Sequence, residues 1–138
     1  IEQSMKGDDV LAFDLDANPV RIVVGEAKFR GTSSTTAVHQ MVEGLLRSHS
    51  AGLPASLQFV SHCLFESGES ETAERVLACA ALFGRGQLQV DYVGLLLSDT
   101  HAAERCDNST RTMRRLVLIS LGMADHEALI EDCYRDME

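Results

Sequence analysis

Two short segments near the start of the chain constrain the fold most. Residues 8–16 (DDVLAFDLD) and 20–29 (VRIVVGEAKF) are rich in β-branched and apolar side chains, with Asn18-Pro19 between them. Two such runs across a turn-forming dipeptide predict a β-hairpin, and Pro19 argues against the tightest turn type. One register suits both segments. It sets Leu11 opposite Val24 and Phe13 opposite Ile22, and on the other face Val10 opposite Gly25 and Ala12 opposite Val23. It also sets Asp14 opposite Arg21, an oppositely charged cross-strand pair that favours the same alignment. Asp9 then faces Glu26. Because side chains alternate with a period of two, Lys28 shares the face of Glu26, whereas Asp8 points the other way.

Downstream the period changes. Ser33-Ser34-Thr35-Thr36 supplies N-cap candidates, and Val38, Met41, Val42, Leu45 and Leu46 recur at helical spacing. Gly52-Leu53-Pro54 ends that helix. Leu57, Val60, Leu64 and Phe65 mark a second one ending near Gly68, and Ala73, Val76, Leu77 and Ala80 a third ending at Gly84. Residues 88–97 (LQVDYVGLLL) and 116–121 (LVLISL) read as strands covered on both faces. The polar stretch 98–115 between them reads as a long functional or mobile connection. A last helix from about Asp125 is expected to turn Leu129, Ile130, Cys133 and Tyr134 inward. The order β-β-α-α-α-β-β-α predicts an α/β domain, a mixed sheet flanked by helices.

The 138 residues fit one domain. The chain begins at Ile1, so the expectation is a C-terminal fragment of a longer protein. A net charge of −9 argues against holding nucleic acid by bulk electrostatics alone, but not against a locally basic cleft. With no Trp, two Tyr and five Phe, a surface of stacked aromatics for single strands is not expected. No apolar run approaches the roughly 20 residues of a membrane span, and no signal peptide is recognisable, so a cytoplasmic location without membrane contact is expected. Four cysteines without metal-site spacing fit a reduced protein, three of them on apolar stretches as core residues.

Asp9, Glu26 and Lys28 carry the chemistry. Paired carboxylates suit a hard divalent cation such as Mg²⁺, with Mn²⁺ an alternative, and a nearby ammonium can neutralise charge that grows on a phosphate. The competing explanation is an edge-strand charge pair that blocks aggregation. With 11 Glu and only 2 Lys in the chain, chance supplies about 0.16 Glu-x-Lys triplets. A lysine closing an otherwise apolar strand therefore favours a functional role.

Gly7-Asp8-Asp9, then a hairpin, then Gly25-Glu26-Ala27-Lys28-Phe29 before an amphipathic helix, resembles the PD-(D/E)xK nuclease superfamily. More narrowly, residues 6–29 and the strands 88–97 and 116–121 resemble the C-terminal domain of the nuclease subunit of the Hachiman anti-phage system. The resemblance implies a restriction-endonuclease-like fold, Mg²⁺-dependent cleavage of DNA, and a helicase-type partner subunit. It implies Asp9, Glu26 and the main-chain carbonyl of Ala27 as metal ligands, with Lys28 acting on the attacking water. Asp8 is the alternative for the acidic position; Gln40 is a polar residue near the site by the same resemblance, although a solvated helix face is its simpler reading.

Other candidates read more simply. His39, Glu43 and Arg47 form an exposed charged stripe, and His62 belongs to packing or partial exposure. Capping is the stronger reading of 33–36 over a phosphate contact. Arg105, Arg111, Arg114 and Arg115 are candidates for phosphate contacts. Two further functions compete with the nuclease: a non-catalytic assembly or regulatory module binding a partner subunit, and a metal-dependent hydrolase of small phosphates.

Overall fold

The computed structural model describes residues 9–49, 53–107 and 113–135. The elements are β1 (Val10–Asp14), β2 (Arg21–Phe29), α1 (Thr35–Arg47), α2 (Leu53–Glu66), α3 (Ser70–Gly84), β3 (Gln89–Ser98), α4 (Ala102–Asp107), β4 (Leu116–Gly122) and α5 (His126–Arg135). The strands form one sheet in the order β1-β2-β3-β4. β1 is antiparallel to β2, and β2, β3 and β4 are parallel. The hairpin has the expected register, from Val10 opposite Gly25 to Asp14 opposite Arg21.

Helices cover one face of this sheet. Ile22 and Val24 of β2, Tyr92 of β3 and Leu116 of β4 pack with Val42, Leu45, Leu53, Leu57, Val76 and Cys79. A second cluster joins Ala37, Val38 and Met41 of α1 to Leu96 and to Ala102 and Cys106 of α4. The connections β2-to-β3 and β3-to-β4 advance in the same direction across the sheet. Right-handed crossovers therefore place α1 and α4 on the same side. Ser34 caps α1, its hydroxyl accepting from the Ala37 N–H at 3.1 Å, as the Ser-Thr run suggests.

Four expectations are corrected. The parallel strands are not covered on both faces: Val117, Ile119 and Leu121 are 56%, 44% and 51% exposed. α5 does not bury its apolar side, for Leu129, Ile130, Cys133 and Tyr134 all stand in solvent. The connection 98–115 contains a helix, α4, too short to show a period but anchored by buried Ala102 and Cys106. Of the cysteines on apolar stretches, Cys79 is buried but Cys63 and Cys133 are exposed, while Cys106 in the polar stretch is buried.

The charge pair assumed in the hairpin is also rearranged. Asp14 does lie opposite Arg21, but the Arg21 guanidinium bonds Asp91 of β3. Arg115 Nε bonds the other oxygen of Asp91, and Gln89 Nε2 lies 3.4 Å from the oxygen that Arg21 bonds. These donors, Arg115 foremost, hold the Asp91 carboxyl below its ordinary range against the opposing effect of burial. The stabilisation is therefore present above the unfolded-state value of about 4 and is lost as pH falls through the lower folded-state value. We expect Asp91→Asn to cost about 1–2 kcal/mol at neutral pH. Thermal melts from neutral to strongly acidic pH should show the gap between wild type and variant closing only below about pH 4.

Candidate active site

Glu26 and Lys28 stand two residues apart on β2, and strand alternation points both at the helical layer. The Lys28 ammonium bonds Glu26 Oε1. Their side chains are only 27% and 14% exposed, so the pair is more shielded from water than an ordinary surface ion pair. The wall over Glu26 is α1, where a Cβ on Gly44 would meet the Glu26 carboxylate.

Asp9 lies just before β1. Its main-chain N–H donates to the Gly25 carbonyl at 3.0 Å, and its Oδ2 accepts from the Ala27 N–H at 2.7 Å. The carboxylate thus takes a main-chain donor of β2 at the open end of the hairpin. The structure joins Glu26 and Lys28 directly and fastens Asp9 to the residue between them. The N–H and C=O of one strand residue share an edge, so the Ala27 carbonyl turns to the side where Asp9 lies. Asp8 lies outside the described residues.

Around this centre the loop from β2 to α1 is tied to the end of β3. Asp99 accepts from the Ser33 hydroxyl at 2.7 Å, the Ser33 N–H at 3.1 Å and the His101 N–H at 3.0 Å. These bonds, the Ser33 hydroxyl first, lower the Asp99 carboxyl below its usual range. Ser98 Oγ donates to the Arg30 carbonyl at 2.6 Å. The entry of α1 above Glu26 and Lys28 is therefore set by hydrogen bonds. Asp99 is not among the sequence candidates, and Ser33, in a run read as capping over a phosphate contact, donates to Asp99 instead.

The remaining candidates separate. Gln40 is exposed, one turn before Gly44 on the same side of α1. His39, Glu43 and Arg47 are exposed, as expected of a charged stripe. His62 is exposed and meets Glu66 at 3.4 Å. Arg115 is bound to Asp91, whose position opposite Val23 places it on the sheet face away from Glu26. Arg114 lines a cleft of about 660 Å³ with His49, Phe83, Tyr92 and Met113, near the starts of β3 and β4. Glu26 aligns instead with Gly94, farther along β3. Arg111 lies outside the described residues.

With this geometry in hand, similarity to known proteins decides the family. The HamA family profile matches residues 1–137. The chain belongs to the HamA family. It is 33% identical over 135 residues to the Hachiman protein HamA of Bacillus cereus, a match covering 97% of this chain and 48% of the relative. The chain thus spans about half the length of that HamA protein. Among the described residues, no helix is long and apolar enough to cross a membrane.

Asp9 is exposed, so Asp9→Ala should change global stability by less than about 1 kcal/mol. It should nevertheless release the Ala27 amide. Hydrogen exchange followed by NMR should show faster exchange at Ala27 while buried Val24 and Leu96 keep their protection.

Proposed function

We propose that this HamA-family chain is a Mg²⁺-dependent nuclease of the PD-(D/E)xK type that cleaves DNA as the effector of an anti-phage system. The observation that carries the reading is the shielded Lys28–Glu26 pair beside the Asp9 carboxylate on Ala27. The family membership supports the defence role, and a helicase-type subunit is the partner we propose for it.

The donor set suits magnesium. Asp9 and Glu26 offer carboxylate oxygens, donors of the kind a hard cation takes, with no thiolate or imidazole in the assigned set. Magnesium is commonly bound by one or two carboxylates, with water and substrate phosphate supplying other oxygens. Asp9, Glu26 and the Ala27 carbonyl are the groups we assign to it. A magnesium ion held there would supply Lewis acidity toward a phosphodiester and a bound water. The chain's own contribution is orientation and charge. Asp9 holds the edge of β2 through the Ala27 amide. Lys28 keeps the Glu26 carboxylate turned toward it and offers its ammonium to negative charge growing on the phosphate. Gln40 is a further polar group on the side of α1 that carries Gly44.

The test is supercoiled plasmid incubated with protein and Mg²⁺. Lys28→Ala, Glu26→Ala and Asp9→Ala should each slow nicking by about a hundredfold or more, and chelation of the metal should abolish it. Equal nicking by wild type and Lys28→Ala would defeat the proposal. Turnover of free nucleotides without plasmid cleavage would move the site to small phosphates.

One observation favours the second reading, an assembly module. The sheet face opposite the helices presents Val10, Phe29, Val117, Ile119 and Leu121 to solvent, the character of a contact surface. Under that reading, lysine at Ile119 would abolish co-purification with the partner subunit, while substitutions at Lys28 would leave defence intact.

A further inference from the structure

At Gly44, α1 leaves no room for a side chain over the carboxylate of Glu26. A Cβ placed on Gly44 would lie 3.1 Å from Glu26 Oε1 and 3.2 Å from its Cδ. The atoms in the way are the end of one flexible side chain, not main chain. One turn earlier α1 is lowered onto the sheet in the same manner: a Cβ on Gly94, the β3 neighbour of Glu26, would lie 2.7 Å from Met41 Cε. Met41 is completely buried, so α1 cannot lift without opening the second core cluster. Two residues without side chains thus let the helix lie close over the carboxylate whose Oε1 Lys28 bonds.

We infer that Gly44 is a positioning residue: its missing side chain is the space that fixes the Glu26 carboxylate against Lys28. This rests on the nuclease reading of that site and adds to it a residue that touches neither substrate nor metal. Glycine in the middle of a helix is otherwise unfavourable, because alanine loses less backbone freedom on folding. Its presence in α1 is therefore bought with stability. An added methyl group should improve the helix while moving one carboxylate by a few tenths of an ångström. Small displacements of a reacting group are expensive for catalysis, up to about a hundredfold for 1 Å.

The experiment is Gly44→Ala in the full chain, with Gly84→Ala as control, because a Cβ on Gly84 meets nothing within 4 Å. For Gly44→Ala we expect a melting temperature equal to wild type or up to about 3 °C higher. We also expect plasmid nicking slowed by about tenfold and the Mg²⁺ concentration for half-maximal rate raised several-fold. Gly84→Ala should leave nicking and Mg²⁺ dependence unchanged. Without metal, the NMR shifts of the Lys28 ammonium and the Glu26 side chain should differ between wild type and Gly44→Ala.

A Gly44→Ala protein with wild-type rate, Mg²⁺ dependence and Lys28 shift would overturn the inference. So would one that melts well below wild type, because the carboxylate would then not be what yields. Inactivity of wild type itself would instead count against the nuclease reading. The metal-free shifts would still decide whether Gly44 sets the position of Glu26.

Discussion

Strand β2 is hydrogen-bonded along both edges, antiparallel to β1 and parallel to β3, and a slip of one residue would exchange its faces. Ile22 and Val24 would move out of the core, and Glu26 and Lys28 would turn away from α1. The register that buries two apolar side chains is thus also the one that brings a carboxylate and an ammonium beneath a helix. Core and site share one determinant, and neither can be repositioned alone.

The helical layer acts on the same strand from above. Val38, Met41, Val42 and Leu45 are buried along one stripe of α1, and Gly44 stands beside that stripe, over Glu26. The N-terminus of the helix is fastened by Ser34 and by the Asp99–Ser33 bonds at the end of β3. Hydrophobic burial fixes the depth of α1, and polar contacts fix where it begins.

The parts of this architecture legible in the sequence are those set by local period. Alternation across 8–16 and 20–29 was enough to align the hairpin and to place Glu26 and Lys28 on one face. Helical spacing located α1, α2 and α3. Less visible was anything decided by contact between distant elements. Val117, Ile119 and Leu121 look like core residues because composition registers only that they are apolar, not whether a layer lies over them. Leu129, Ile130 and Tyr134 misled for the same reason. Arg21 had a plausible partner in Asp14, yet Asp91, 70 residues away, takes its guanidinium. Gly44 gives no local signal at all, since its significance lies in the distance between a helix and a strand.

The one-sided helical layer also divides the chain by the kind of constraint each residue obeys. The helices between the parallel strands, α1 to α4, pack on one side of the sheet, and among the described residues none of these helices lies over Val117, Ile119 and Leu121. Substitutions at Val24, Met41 or Leu96 must answer to neighbours within this fold, where volume is tightly controlled. Polar replacements at Val117, Ile119 or Leu121 disturb little of the packing beneath the helices. Evolutionary drift should therefore run at different rates on the two faces, and the rate on the open one would record the history of its neighbour rather than that of the fold.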